Sequence, residues 1–343
     1  MPVLISSIFI SIFSLFNLFG INQNLFFKQL LFFAVAYIGY FVVKSVGYNF
    51  FKINSKFFYW LFVIILIITF VIGIEVKGSK RWLDLYFFNF QSSEFFKLFF
   101  IFYLSEFLSE KNIFENNLFY FLKSILIFIP PIFIIFKQPD LGNASVFIFI
   151  YLTLILFSKI PKKMLAYFFL SISFLLPFGW FFLKNYQKNR ILSFFSPHLD
   201  TQGTSYNMIQ AVITIGSGKF FGRGLGLGTQ SRLFFLPENT TDFAYASLVE
   251  QFGFFGGFLL IVFFGIIVYT LIKKILKHFS KNDRDSQQRY LFYIGILIYF
   301  VTQIFVNIGM NMGLLPIAGV ALPLVSYGGS SALAFLITLA LII

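Results

Sequence analysis

The sequence predicts an all-α integral membrane protein with about ten transmembrane helices. Its 343 residues are 59% hydrophobic and only 11% charged, a composition outside the range of soluble domains. Apolar runs of about 20 residues, the length that crosses a bilayer, recur along the whole chain. Lys and Arg concentrate in alternate loops between these runs, as they do in polytopic membrane proteins.

Ten apolar runs are candidate spans, and polar residues mark most of their ends. They cover residues 2–19, 26–43, 57–74, 92–109, 118–136, 141–158, 163–183, 241–272, 289–311 and 317–343. Since no stretch has the composition of a separate soluble domain, we predict a single polytopic domain over residues 1–343.

The positive residues also predict the orientation of the bundle. The loops at 44–56, 159–163 and 273–289 are rich in Lys and Arg, and ten spans place all three on one side. We assign that side to the cytoplasm, although the loop at 105–117 is acidic, because acidic residues count little in this rule. The opposite side receives 75–91, a corner at 137–140 and one long extracytoplasmic loop, 184–240, between the seventh and eighth spans.

Composition excludes several other classes of function. A net charge of +13 would suggest nucleic acid in a soluble protein, but here topology accounts for the positive residues. The chain has no Cys, which excludes a disulfide framework and a thiolate metal site. Its two histidines, His198 and His278, fall on opposite sides of the predicted membrane, so we predict no protein metal centre.

One stretch combines charge with the start of a span. Residues 236–253 open with polar residues, including Glu238 and Asp242, and then become apolar. From spacing alone the simpler interpretation is that Asp242 caps a helix N-terminus, but a carboxylate at this boundary can also act as a general base. Glu250 lies about two turns deeper, where a charge costs about 2.5–3.5 kcal/mol, so we expect an internal hydrogen-bond network around it.

Cations lie on the same predicted side as Asp242. Lys80 and Arg81 precede Trp82, a grouping that either anchors lipid headgroups or binds a phosphate. The long loop adds Arg190, Arg223 and Arg232. Arg223 lies in a segment with glycines at 222, 224, 226 and 228, which permits close backbone approach or a simple hinge.

Other polar residues fall inside the predicted spans. Glu94 and Lys97 are spaced to pair on one helix face, and Asp140 stands where it could cap a helix. Gln303, Asn307 and Asn311 step by four, which predicts a polar stripe facing protein rather than lipid. The sequence SYGGSS at 326–331 is typical of a broken or closely packed helix.

Together these segments resemble the SEDS family of shape, elongation, division and sporulation proteins, and its RodA branch more than FtsW. The matching stretches are GSKRWLDL at 78–85, FQSSEFFKL at 90–98, KQPDLG at 137–142, YQKNRILSFFSP at 186–197, GTSYNMIQAVITIGSGKFFGRGLGLGTQS at 203–231, LPENTTDF at 236–243 and NIGMNMGLLPIAGVALPLVSYGGSS at 307–331. The chain departs from the family pattern at Lys80, Ser92, Thr240 and Gln251, where Gln, Pro, His and Glu are usual.

The resemblance implies a peptidoglycan glycosyltransferase that polymerises lipid II at the outer face of the bacterial cytoplasmic membrane. It also implies a class B penicillin-binding protein as partner and Asp242 as the essential carboxylate. We assign substrate binding to Trp82, Lys80, Arg81, Glu94, Lys97, Asp140, Arg190, Arg223, Arg232, Glu238 and Glu250. A divalent cation could assist the leaving diphosphate, although no motif shows one. The alternatives are a lipid II flippase, a non-catalytic scaffold and an FtsW-like division paralogue.

Overall fold

The fold is known from a computed structural model, which describes residues 1–343 apart from 77–78, 87, 111–116, 184, 197–203, 280, 282 and 343. Its helices are α1 (Pro2–Ile21), α2 (Gln23–Val46), α3 (Tyr48–Ile53), α4 (Ser55–Ile72), α5 (Ser92–Leu108), α6 (Asn117–Lys137), α7 (Leu141–Phe157), α8 (Lys162–Phe182), α9 (Asn185–Phe195), α10 (Thr204–Ser217), α11 (Thr229–Arg232), α12 (Ala244–Phe279), α13 (Arg284–Asn311) and α14 (Gly329–Ala340). Its strands are β1 (Ile74–Val76), β2 (Ser79–Asp84) and β3 (Asn89–Phe90).

The predicted helical membrane fold is confirmed. The first seven predicted spans coincide with α1, α2 and α4 to α8, with every end within three residues. By length and apolar composition, α1, α2, α4, α6, α12 and α13 are long enough to cross a membrane. The total of ten spans stays a prediction, because α7 and α14 are shorter apolar helices.

The tenth predicted span is wrong in its first half. Helix occupies only Gly329–Ala340, and residues 312–328 follow an irregular path. Pro316 and Pro323 lack the N–H that a helix interior requires, and Gly313 and Gly319 adopt positive φ angles of 71° and 68°. Hydropathy reports that this segment is apolar, but it does not report these helix breakers.

The loops also differ from their predicted extents. Residues 273–279 continue α12, since Lys and Leu are good helix formers, so the loop before α13 is short. The long outer loop contains α9, α10 and α11. The loop at 75–91 holds a small antiparallel sheet in the order β1-β2-β3, which the all-α prediction missed because its strands have at most six residues.

Helix α5 forms the centre of the bundle. Almost all of its side chains are buried, and it packs against α4, α6, α7, α13 and α14. Aromatic rings fill much of this core: Phe99 stacks on Phe62 at 4.7 Å, and Phe102 lies 4.1 Å from Phe292, both between ring centroids. The high Phe content of the sequence is therefore used in part for packing between helices.

The structure brings three of the predicted cytoplasmic loops, 44–56, 105–117 and 273–289, together at one end of the bundle. Lys52 contacts Asp285 at 2.5 Å, and Arg284 contacts Glu106 at 2.9 Å. Glu106 belongs to the acidic loop that conflicted with the charge pattern, and its partner Arg284 explains why an acid lies at the positive end. The residues of the candidate site lie at the opposite end or in the interior.

Candidate active site

Asp242 lies in a turn just before α12, which begins at Ala244. Its backbone carbonyl accepts hydrogen bonds from the side-chain amides of Asn307 at 3.0 Å and Asn311 at 3.1 Å. These residues belong to the polar stripe of α13, so the stripe faces protein, as predicted. Two buried amides therefore fix the main chain at the candidate base.

The irregular segment 312–328 forms another wall around Asp242. Ser326 Oγ donates to the carbonyl of Thr241 at 2.6 Å, and the Tyr327 amide donates to the carbonyl of Thr240 at 2.8 Å. A Cβ added at Gly319 would lie 3.8 Å from Asp242 Oδ2, so the carboxylate faces this backbone. Asp242 itself is half-buried, which leaves part of its surface open to a reactant.

Glu238 belongs to the same turn. Its backbone carbonyl accepts from the amides of Thr241 and Phe243, both at 3.1 Å, and its carboxylate accepts from the Thr241 hydroxyl at 2.9 Å. The residue is exposed and has a positive φ of 55°. This geometry supports a role in shaping the turn before Asp242.

The small sheet places Arg81 between Trp82 and Asp140. The Arg81 guanidinium lies 4.4 Å from the centroid of the Trp82 ring, and its Nη1 lies 3.3 Å from Asp140 Oδ1. Asp140 also caps α7 by accepting from the Asn143 amide at 3.2 Å, which confirms the predicted cap. Lys80 precedes this group on β2 and is exposed.

Glu94 and Lys97 form the predicted pair on α5. Lys97 Nζ lies 2.7 Å from Glu94 Oε1, and both side chains are buried. The ammonium also lies 5.0 Å from the centroid of the Tyr299 ring on α13. This ion pair lies inside the bundle, where mutual pairing offsets much of the cost of burial.

Three arginines of the long loop lie on different elements. Arg190 Nη1 donates to the carbonyl of Ile317 at 3.3 Å, two residues from the glycine that faces Asp242. Arg223 Nε donates to the carbonyl of Ser217 at 3.2 Å, and Arg232 Nη1 donates to the carbonyl of Gly226 at 3.0 Å. Arg223 and Arg232 are exposed, so both can present positive charge to an anionic ligand.

Glu250 is fully buried, and its carboxylate accepts from the amides of Gln230 and Ser231, each at 2.9 Å. This is the internal network expected from its depth in the chain. The geometry supports a structural contact with the loop rather than direct contact with substrate.

Sequence reasoning missed several residues that hold the site in place. Asn17 of α1 donates to Ser247 Oγ at 3.0 Å, and Gln251 donates to Asn17 Oδ1 at 2.7 Å. Only the polar character of Asn17 within an apolar run could have marked it. Within the residues that the structure describes, no three His, Cys, Asp or Glu side chains cluster as a metal site.

Comparisons with known proteins fit this architecture. The profile described as "Cell cycle protein", for FtsW, RodA and SpoVE, matches residues 2–343. The chain belongs to the FtsW, RodA and SpoVE family. The resemblance to SEDS proteins is therefore confirmed, and membership agrees with a multi-pass protein of the bacterial inner membrane.

Relatives of this SEDS chain come from several branches. A probable peptidoglycan glycosyltransferase FtsW of Wigglesworthia glossinidia brevipalpis is 32% identical over 317 residues, which cover 92% of this chain and 82% of the relative. Stage V sporulation protein E of Bacillus subtilis is 33% identical, covering 89% and 82%. Peptidoglycan glycosyltransferase MrdB of Escherichia coli K12 is 32% identical, covering 81% and 73%.

Two solved structures share the fold. The rod shape determining protein RodA of Thermus thermophilus superimposes with a TM-score of 0.71 at 21% identity, covering 99% of this chain and 94% of that one. A chain from a peptidoglycan synthase complex, described for its coordination of polymerization and crosslinking, gives a TM-score of 0.83 at 24% identity, covering 99% and 95%.

Proposed function

We propose that this SEDS chain is a peptidoglycan glycosyltransferase that polymerises lipid II, with Asp242 as general base. The placement of Asp242 carries the proposal: the residue is half-buried, and its main chain is held by α13 and the irregular segment, at the end of the bundle opposite the basic loops. The names of the FtsW and MrdB relatives support the same activity.

The chemistry requires one base and one site for a leaving anion. A sugar 4-hydroxyl attacks the anomeric carbon of a lipid-linked disaccharide and forms the new glycosidic bond. The bond from that carbon to the undecaprenyl diphosphate breaks, and the diphosphate leaves with the electron pair. Asp242 takes the hydroxyl proton, a contribution worth about 10²–10⁴ in rate. The α-linked donor becomes a β-link, so a single inverting displacement suffices.

Basic side chains at the same end of the bundle as Asp242 would bind the leaving diphosphate. Arg81 is oriented by Asp140 and Trp82, while Arg190 lies against the segment that faces Asp242. Arg223, Arg232 and Lys80 are exposed there and can add positive charge. Among the described residues, no three His, Cys, Asp or Glu side chains cluster as a site for a resident divalent cation.

The reaction would occur on the extracytoplasmic side. The end opposite the candidate site carries the basic loops, including Lys52 and Arg284, which favour the cytoplasm. Lipid II exposed on the outer leaflet would then reach Asp242 from the membrane surface.

The decisive experiment compares wild type, Asp242→Asn and Asp285→Asn, purified in detergent with lipid II and scored for glycan strands. Asn keeps the size of the side chain and much of its capping ability but cannot accept a proton. We expect Asp242→Asn to lower polymerisation by at least about 10²-fold without a change in melting. Asp285→Asn makes the same charge change at the opposite end and should polymerise normally.

Each other outcome identifies an alternative. Near wild-type polymerisation by Asp242→Asn would transfer the base assignment to Glu238 or Glu94. A wild type that makes no strands but moves lipid II across vesicles would be a flippase. A wild type that does neither, but raises the activity of a penicillin-binding protein, would be a scaffold.

We propose a role in elongation and cell shape, from the IGSG, GTQS and NIGM…GLLP stretches that resemble the RodA branch. The FtsW and MrdB relatives are both 32% identical, so overall identity does not separate elongation from division. Complementation tests the role: rescue of rod shape in cells lacking their elongation protein supports it, whereas rescue only of filamenting division mutants assigns the chain to division.

A further inference from the structure

The glycine-rich loop is built into a break in α12. Gly253 has φ 71° and ψ −173°, which interrupts the helix and leaves backbone groups without partners in the helix. The amides of Arg223 and Gly224 donate to the carbonyls of Glu250 and Gln251, at 2.9 and 3.1 Å. In the opposite direction, the amides of Phe254 and Phe255 donate to the carbonyls of Lys219 and Phe220. The loop thus supplies hydrogen-bond partners for the backbone groups that the break in α12 leaves without partners in the helix.

Glu250 fixes the next part of the loop. Its Oε1 accepts from the Gln230 amide and its Oε2 from the Ser231 amide, while the Ser231 hydroxyl makes a short hydrogen bond to Oε2. Ser217 Oγ lies 3.5 Å from Oε1. A Cβ at Gly228 would lie only 2.6 Å from Oε2, so a larger residue there would push the loop off the carboxylate.

Ser231 links Glu250 to the turn that carries Asp242. Its carbonyl accepts from Asn239 Nδ2 at 2.5 Å, three residues before Asp242. The Leu236 amide donates to the carbonyl of Gln230 at 3.2 Å, which ties the start of the turn to the same short helix. Gln230 and Ser231 therefore donate to Glu250 through their amides and hold the turn before Asp242 through their carbonyls.

Glu250 cannot touch substrate from this position. It is fully buried beneath α11, whereas Arg232, next to Ser231, is exposed at the surface. The side chain of Glu250 contacts the loop that covers it, so a change at Glu250 would displace this loop first.

We propose that Glu250 is a positioning residue, which acts through Ser231 and Asn239 to set the place of Asp242 and of Arg232. The inference rests on the proposed function, because positioning matters only if Asp242 acts on a substrate. A buried carboxylate suits this role, since its two oxygens can accept from two successive backbone amides at once.

The test uses Glu250→Gln in the full chain. A Gln side chain keeps the shape but has a single acceptor oxygen, so one of the two amide bonds is lost. We expect kcat for lipid II polymerisation to fall about tenfold or more, with a smaller change in KM, because misplaced catalytic groups slow the reaction step. We also expect faster amide hydrogen exchange at residues 230–231 and across the turn at 236–243.

Gln288→Leu is the matched control. Gln288 is fully buried at the opposite end, where it accepts from the Tyr48 hydroxyl and donates to Ser105. Its loss should lower the melting temperature while kcat and exchange at 236–243 stay unchanged. If both variants lose kcat in proportion to melting, or if Glu250→Gln leaves either kcat or exchange at 236–243 unaltered, Glu250 is a structural residue only.

Failure of this inference is distinguishable from failure of the proposed function. A wild type that makes no glycan strands refutes the function, and hydrogen exchange then decides alone whether Glu250 controls the turn. A wild type that polymerises beside an equally active Glu250→Gln variant refutes only the positioning role.

Discussion

Arg81 shows how one side chain serves two neighbours at the residue scale. Its guanidinium stacks on Trp82 and reaches the buried carboxylate of Asp140. Arginine suits this geometry because its planar fork can stack and donate at the same time. Arg81 is therefore held in place whether the GSKRW stretch serves as a membrane anchor or as a phosphate site.

Arg81→Ala should weaken use of lipid II while the fold stays intact. Asp140 keeps its bond to Asn143, so the cap of α7 survives. A lost charge-assisted contact costs about 1.5–3 kcal/mol, which predicts a KM for lipid II raised about tenfold or more. Initial rates at limiting and saturating lipid II measure the change.

Arg284→Ala is the control, because Arg284 also pairs with a carboxylate, Glu106, but at the opposite end. Unchanged turnover of Arg81→Ala at limiting lipid II would assign the cluster to membrane anchoring instead.

Gln251 illustrates what the sequence could and could not predict about single residues. Its departure from the usual acidic residue was visible, but its partners were not. Gln251 donates to Asn17 and accepts from the Gly226 amide at 3.0 Å, and a glutamate could not make the first of these bonds unless protonated. Asn17 is 234 residues and Gly226 is 25 residues from Gln251 in the chain, so both contacts depend on the tertiary fold, which a single sequence does not encode as a local pattern.

At the scale of elements, the break in α12 depends on glycine at two contacting positions. Gly222 has a φ of 86°, and a Cβ there would collide with the carbonyl of Gln251. Gly253 faces Gly222 across the break, and its own Cβ would collide with the Gly222 amide nitrogen. The alternating glycines are therefore required in part for close backbone approach, and a hinge is not needed to explain them.

Gly222→Ala should destabilise the loop by about 1–3 kcal/mol, through backbone strain and the displaced carbonyl. Gly216→Ala is the matched control, since Gly216 lies in α10 with open space around its Cβ position. Thermal melting of both purified variants measures the difference. Equal melting temperatures would contradict the requirement for glycine at 222.

A groove between α12 and α13 offers a place for a single-span partner. It has a volume of about 420 Å³ and is lined by apolar residues and by Gly265, whose Cβ position is open, whereas Gly309 is covered by Leu315. Small residues let a further helix approach closely in a membrane. We propose this groove as the docking site of a class B penicillin-binding protein.

Gly265→Leu should fill the groove and reduce co-purification with the cognate penicillin-binding protein. Nothing lies within 4 Å of a Cβ at Gly265, so the larger side chain should not disturb the fold. Gly179→Leu on α8, where the Cβ position is equally open, is the control.

Co-expression in membranes followed by affinity purification measures the effect, and polymerisation by the SEDS chain alone should not change. If the wild-type chain fails to co-purify with the penicillin-binding protein, the proposed partner is wrong. If Gly265→Leu co-purifies as the wild type does, the partner stands and only the proposed docking site is wrong.

Hydropathy predicted helices well where the chain simply crosses the core. It failed where apolar sequence is not a straight helix, as in residues 312–328, because prolines and positive-φ glycines redirect the backbone. That irregular segment then forms part of the candidate site. The sequence predicted which residues of the α13 stripe are polar, but not that two of them would bind the carbonyl of Asp242.

At the scale of the whole molecule, the two ends differ in charge and in architecture. One end is closed by ion pairs such as Lys52–Asp285, and the other end carries the sheet, α11 and the turn with Asp242. The loops at 44–56 and 273–289, which the charge pattern placed on one side, meet at the first of these ends. Which end faces the cytoplasm stays a prediction.

Single-Cys labelling tests the orientation, because the chain has no Cys of its own. Both Lys281, before α13, and Leu233, after α11, are exposed. We expect an impermeant maleimide added to intact cells or spheroplasts to label Leu233→Cys but not Lys281→Cys. If Lys281→Cys is labelled and Leu233→Cys is not, the orientation in the membrane is the opposite of the predicted one.

Helix α13 also sets the depth of the candidate site. From Arg289, near the basic end, to the Asn307–Asn311 pair is about 30 Å at about 1.5 Å per residue, close to the thickness of the hydrocarbon core. Asp242 then lies at the far boundary of the bilayer. A lipid-linked donor and acceptor would meet it by lateral diffusion in two dimensions, so turnover would follow their mole fraction among the surrounding lipids rather than their concentration in bulk solution.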